Sequence, residues 1–378
     1  MDIAILGFGT IGSGVDELLK GNKDIYVKTI LDLNAWQANM TTDIENIIKD
    51  DSIKTVVETM GGIHPAFEYA IKCIEAGKNY VTANKLLVSQ CALELQKAAL
   101  KNNVALLFSA ACGGGIPYLY NLEKTAQTDK IISLGGILNG TTNYILDKLF
   151  TDGVSYAEAL KEAQALGYAE RDPSSDVDGL DTMRKLMLSS AVAFGRIPQS
   201  ESIPCYGIRN INDIDVKYAK DQNAVIKLIA NASTVKENKL EAFVMPRLFK
   251  NGTAESSIRL NVNYAWYKGE RIGEFGFTGH GAGKFPTANN IVRDVYTIMM
   301  GEKRMLPDAL ESVPADGSSE KRFYVRAPES SAKDLTVFSE SLETNAQYAI
   351  IKTKPISFNK LSDALKGVED YFVMLLED

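Results

Sequence analysis

Ile3-Ala4-Ile5-Leu6-Gly7-Phe8-Gly9-Thr10-Ile11-Gly12-Ser13-Gly14-Val15-Asp16-Glu17-Leu18-Leu19 decides how the rest of the chain is read. Its first four residues form an unbroken apolar run, as a parallel strand covered on both faces must. Glycines follow at once in the spacing G-x-G-x-x-G, and the residues from Val15 continue as helix. In such a turn Gly7 permits the tight bend, Gly9 lets the backbone approach a pyrophosphate, and Gly12 lets helix and strand pack closely. The unpaired N–H groups at the helix start favour phosphate. The next apolar run, at 27–31, ends at Asp32, about 20 residues beyond Gly12, where a carboxylate can bind the hydroxyls of an adenosine ribose. This combination predicts dinucleotide binding. No arginine follows Asp32 closely, which favours NAD over NADP.

Moving outward, a capping box of Thr42 and Glu45 predicts a helix carrying Ile44, Ile47 and Ile48. A strand follows at 55–58, then a helix from Pro65 to near Gly77, then a strand at 79–82 leading to Asn84-Lys85. Such alternation predicts an α/β fold with a doubly wound parallel sheet of Rossmann type. After about residue 130 the texture changes to an inserted α+β domain. A second capping box, Ser155 with Glu158, opens a helix closing at Gly167, and another helix runs from about 181 to 194, ended by Gly195. Between about 205 and 285, runs such as 240–244 and 258–262 predict strands. Residues 310–320 read as a linker, and the tail from Arg322 as strand, helix, strand, helix, strand. The expected division is 1–130 plus about 284–308 for the dinucleotide, 131–283 for substrate and oligomerisation, and 322–378 as a tail domain.

Composition narrows the function. A chain of 378 residues with 45% hydrophobic and 24% charged residues is an ordinary globular protein of more than one domain. No apolar run approaches the roughly 20 residues that span a bilayer, and the start shows no signal peptide. A net charge of -7 argues against nucleic acid or anionic membrane as main partner. The four cysteines lack metal or disulfide spacing, which fits a cytoplasmic protein. With only two histidines, His64 beside Pro65 and His280 among glycines, both read as loop or capping residues. Acid–base chemistry is therefore expected from Lys, Asp or Glu.

The strongest local signal runs from Gly167 through Tyr168, Glu170, Asp172, Asp176, Asp178 and Asp181 to Lys185. Asp181 and Lys185 share a helix face at i,i+4. Convergent carboxylates suit a substrate bearing an ammonium group, and a lysine at that place can give or take a hydroxyl proton as hydride moves. An ordinary lysine, near pKa ~10.4, is a sluggish base at neutral pH, so its site must tune it. Lys85, at the end of a parallel strand, points to the edge where ligands of such sheets bind. The glycine-rich stretches at 111–117, 136–144 and 279–288 offer backbone surfaces, the last opening a helix that returns to the dinucleotide half.

Taken in order, the segments at 7–12, 57–62, 81–85, 113–117, 139–146 and 167–185 resemble homoserine dehydrogenases across nearly the first 310 residues. The resemblance implies an NAD- or NADP-dependent interconversion of L-homoserine and L-aspartate 4-semialdehyde. It implies Lys185 as proton donor and acceptor, Lys85 as a second active-site lysine, and Glu170 and Asp181 as substrate-binding carboxylates. Tyr168, Gly140, Thr141 and Asp176 would line the same site. Phe8, Thr10, Ile11, Gly167 and Gly283 would contact the cofactor, and the chain would form a homodimer or homotetramer. A monovalent cation would rest on the backbone carbonyls of Cys112, Gly114 and Ile116, but Ser109 stands where the family has an acid, so a weakened site and no site both stay open. Residues 322–378 resemble a shortened ACT-type regulatory domain whose usual Pro-Gly turn is replaced by Ser331-Ala332-Lys333-Asp334, leaving threonine control in doubt.

Two rivals remain. One is a semialdehyde dehydrogenase using Cys112 as nucleophile, which wants a thiolate activated by a base, usually histidine. The other is a sensor of amino acid or dinucleotide that kept the fold and lost turnover.

Overall fold

Residues 1–235, 239–344 and 347–376 are described in a computed structural model of the chain. The N-terminal half forms a six-stranded parallel sheet in the order β3-β2-β1-β4-β5-β6. Its strands are β1 (Asp2–Leu6), β2 (Tyr26–Leu31), β3 (Met40–Thr41), β4 (Ile53–Glu58), β5 (Asn79–Thr82) and β6 (Leu106–Leu107). The apolar run of β1 is central and fully covered, with Ile3, Ala4, Ile5 and Leu6 all buried. The order reverses between β1 and β4, and at such a switch point the carboxyl ends of the strands part to admit a ligand. The helix Lys284–Met299 returns late in the chain to pack against the first helix, Thr10–Leu19. Ala288 meets the space beside Gly14, where a Cβ would lie 3.2 Å away.

The second sheet has nine strands, ordered β12-β11-β7-β9-β10-β19-β15-β17-β16. It uses β7 (Ile131–Ile137), β9 (Ala224–Thr234), β10 (Leu240–Lys250), β11 (Val262–Gly269), β12 (Gly273–His280), β15 (Phe323–Pro328), β16 (Ser339–Thr344), β17 (Tyr348–Thr353) and β19 (Phe372–Leu375). Short strands β8 (Arg196–Pro198) and β13 (Glu311–Val313) pair in parallel, and β14 (Glu320–Lys321) pairs with β18 (Ile356–Ser357). The helix Leu180–Phe194 packs on this sheet, nearly all of it buried.

The Ser155–Glu158 capping box is present in both directions, and Gly167 and Gly195 follow their helices with left-handed backbone, φ 75° and 64°. Four expectations are corrected. Thr42 caps nothing: the helix is one turn, Glu45–Ile48, and the Asp43 carboxylate accepts from Glu45 N–H instead. Of residues 258–262 only Val262, the start of β11, is strand, because Leu260 takes φ 52° and its carbonyl accepts from the Asn143 amide rather than from a neighbouring strand. The 310–320 stretch is partly ordered, since β13 completes a pair with β8. The tail holds two strands more than expected, the two-residue β18 and β16; the latter is an edge strand with little apolar character (Ser339, Glu340, Ser341, Leu342, Glu343, Thr344), so periodicity hid it.

Candidate active site

The glycine turn shows in its geometry why it is glycine. A Cβ on Gly12 would lie 2.0 Å from the Gly7 carbonyl oxygen, so strand and helix touch only because it is absent. Around Gly9 the space is open, with nothing within 4 Å of a Cβ position. The helix behind it has no side-chain cap, which leaves first-turn N–H groups, from Thr10 onward, free for a phosphate. Asp32 Oδ2 accepts from Phe8 N–H at 2.7 Å and so fixes the turn to the end of β2. Lys28, the nearest cation along that strand, is held by Asp50 at 2.7 Å. These residues fit a dinucleotide: an open backbone cradle, free donors and a carboxylate at the ribose position.

Opposite lies a cleft of about 620 Å³. Its dinucleotide-side wall includes Ile11, Lys85, Ala110 and Gly114, and its other wall includes Asn139, Gly140, Thr141, Gly167, Tyr168, Asp176, Asp181 and Lys185, with His280 and Gly283 at one side. Asp181, on the first turn of the Leu180–Phe194 helix, sits between two lysines: Oδ2 is 2.7 Å from Lys185 Nζ and Oδ1 is 3.0 Å from Lys85 Nζ. Burial by itself would raise Asp181, but the two ammonium groups hold its carboxyl well below the usual range. In return, its charge raises Lys85 above the ordinary lysine value. Lys185 also donates to the Leu138 carbonyl at 2.5 Å. Lys85 is less enclosed, with two-fifths of its side chain exposed toward the cleft (40%).

Asn139, absent from the expected site, joins the acids. As N-cap of the helix Gly140–Thr151 its Oδ1 accepts from Thr142 N–H at 2.8 Å, which turns its amide nitrogen toward Asp176 at 2.7 Å and Asp181 at 2.9 Å. Burial raises Asp176, with that amide bond opposing. Asparagine at an N-cap is a legible sequence signal, but the bridge between carboxylates 37 and 42 residues away is not. Thr141 Oγ1 donates to the Tyr168 carbonyl at 2.6 Å, tying the Gly167–Tyr168 turn to the wall.

Not every candidate converges. The Glu170 side chain is exposed and outside the cleft lining, while its carbonyl accepts from Gln164. His280, read as a loop residue, stands in the cleft wall, whereas His64 is exposed and pairs with Glu68 at 2.6 Å. Cys112 is fully buried, and burial pushes its thiol up to about 11, the reverse of an activated nucleophile. The Cys112 thioester reading therefore fails.

The residues expected to hold a cation do not fit one. The carbonyl oxygens of Gly114 and Ile116 both accept from the Asn290 amide nitrogen, the latter at 3.0 Å. Ser109 donates its N–H and hydroxyl to Asp294, at 2.8 and 2.6 Å. Among the described residues no cluster of three or more His, Cys, Asp or Glu side chains forms a metal site, and no helix is long and apolar enough to cross a membrane.

Ile11 of the glycine motif and the lysine–carboxylate group of Lys85, Asp181 and Lys185 line one cleft, an arrangement that suits the class of nicotinamide dinucleotide-dependent dehydrogenases acting on a small substrate. The family model described as homoserine dehydrogenase matches residues 117–296, and that described as homoserine dehydrogenase, NAD binding domain, matches residues 7–109. The homoserine dehydrogenase of Lactococcus lactis is 38% identical over 80% of this chain and 75% of its own, and that of Bacillus subtilis 34% over 79% and 72%. The solved homoserine dehydrogenase of Thiobacillus denitrificans superposes with TM-score 0.88 at 30% identity, covering 100% of this chain and 98% of that one. The chain belongs to the homoserine dehydrogenase family and is an oxidoreductase with a nicotinamide dinucleotide-binding domain, which favours the enzyme over the sensor.

Proposed function

We propose that the cleft reversibly converts L-homoserine to L-aspartate 4-semialdehyde with Lys185 as the proton-exchanging group. The observation that carries this is the fixed ammonium of Lys185. Of its three donors, one bonds Asp181 and one the Leu138 carbonyl, which leaves the third for a substrate oxygen in the cleft it lines. The bound nicotinamide supplies or takes the hydride. Lys185 delivers a proton to the alkoxide that forms at the substrate C4 oxygen, and recovers it in the reverse direction. Lys85 adds positive charge near that oxygen. Asp181 orients both lysines and its charge raises Lys85. Asp176 faces the substrate ammonium, and Gly140, Thr141 and Tyr168 shape the wall. Lys185→Ala is expected to abolish homoserine-dependent reduction of the nicotinamide, followed by absorbance, and to leave cofactor affinity unchanged by titration. Retained turnover would overturn the assignment.

Asp32, at the ribose position, favours NAD over NADP, with Lys28 on the same strand held by Asp50; initial rates with each cofactor test this. Residues 1–130 with about 284–308 form the dinucleotide domain and 131–283 the substrate and oligomerisation domain. The tail, 322–378, is the ACT-like part. A homodimer or homotetramer is supported by the exposed edge strand β12 with Phe275, and light scattering measures it. The four free cysteines support a cytoplasmic setting.

A further inference from the structure

The loop 110–116 forms part of the cleft wall through Ala110, Ala111 and Gly114, so whatever fixes its carbonyls also fixes the reacting site. Two of those carbonyls, at Gly114 and Ile116, point at one side-chain nitrogen, that of Asn290. Asn290 is wholly buried on the helix Lys284–Met299. Its own oxygen accepts from the guanidinium of Arg293, one turn further along, at 2.5 Å. The amide is therefore oriented from both ends. Reversing it would aim an oxygen at two carbonyl oxygens and an N–H at a cation. An alkali cation on the same carbonyls would displace both amide bonds and bring its charge near Arg293.

We propose that Asn290, polarised by Arg293, replaces the alkali cation in this chain as the positioning group for the 110–116 loop, making its activity independent of sodium and potassium. The positive end of the amide dipole meets the two carbonyls where a cation's charge would, and Arg293 supplies that charge from behind. Ser109 fits the same arrangement. Its N–H and hydroxyl are both spent on Asp294, so position 109 offers no anionic ligand toward the loop. The inference rests on this cleft being the reacting site, and its tests read salt identity, which a failure of the substrate assignment would not produce.

The first measurement is turnover of the intact enzyme in choline chloride against sodium or potassium chloride at equal ionic strength, with the cofactor as a salt free of both. Equal kcat/KM is expected. A saturable rise with either alkali cation would overturn the proposal. The second uses Asn290→Ala and the isosteric Asn290→Asp. Loss of a charge-assisted bond of ~1.5 kcal/mol corresponds to about a tenfold fall in kcat/KM in choline chloride. Sodium or potassium is expected to recover part of it in either variant and to raise its melting temperature, with no such effect on the parent. A loss in both variants that no alkali cation recovers would make Asn290 a packing residue and overturn the proposal.

Discussion

Asp181 shows what one side chain does when the fold sets its neighbours. Its buried carboxylate is tolerable only because Lys185, Lys85 and the Asn139 amide surround it. Asp181→Asn leaves two ammonium groups facing each other without their counter-charge, at an expected cost of about 3 kcal/mol. The folded-state pKa is depressed, so the stability this group contributes is present above the unfolded value of about 3.9 and is lost as pH falls below it. Denaturant melts of parent and variant should thus differ at pH 7 and converge progressively below pH ~4. A pH-independent gap would show that shape, not charge, is at stake. Lys185 and Asp181 were legible in the sequence because i,i+4 spacing fixes a shared face. That Lys85 completes the group was not, since it arrives from another domain 96 residues away.

At the scale of elements, two starts of helices build the substrate wall. The helix Gly140–Thr151 begins at Asn139, whose side chain caps it and also bridges Asp176 and Asp181. Asn139→Ala should lower stability by at least about 1 kcal/mol through the lost cap, and kcat/KM should fall more than stability alone explains. A melting shift with unchanged kcat/KM would confine Asn139 to capping. The helix Leu180–Phe194 begins at Gly179, with φ 85° and only 3.1 Å between a Cβ position and both Cys205 Sγ and Val244 Cγ1. Gly179→Ala combines a disfavoured backbone with a clash on the turn that presents Asp181. A loss above ~1 kcal/mol is expected in denaturant melts, and an unchanged midpoint would refute it. The Ser155–Glu158 box and the glycine stops were readable because they depend on residues three or four apart. The Thr42–Glu45 box failed where a nearer competitor, Asp43, took the N–H.

At the scale of the molecule, the tail is a structural continuation of the substrate sheet. Strand β19 lies beside β10, and one core joins Ile137, Phe243 and Met245 to Phe323, Val325 and Phe358. Beneath it Arg326 and Asp215, both wholly buried, pair at 3.0 Å, with Tyr324 donating to the same carboxylate at 2.9 Å. Burial pushes Asp215 up, and Arg326 opposes. Arg326→Met should destabilise by about 3–5 kcal/mol at neutral pH, because it strands a buried carboxylate. With its folded pKa above the unfolded one, that variant should regain stability relative to the parent as pH falls toward ~4. A gap that stays constant with pH would show that Asp215 is not the group left unpaired.

By itself the sequence determined the alternation of strands and helices, the glycine turn after the first strand, the place of Asp32 at the end of the second, and the pairing of Lys185 with Asp181. Each rests on periodicity, backbone freedom or a spacing of a few residues, and these act along the chain. Tertiary structure alone decided that Asn139 gathers the carboxylates, that His280 enters the cleft wall, that Glu170 stays outside it, and that Asn290 claims the carbonyls of a loop 174 residues away. Those outcomes turn on which donor reaches an acceptor first in three dimensions, and no local pattern encodes that competition.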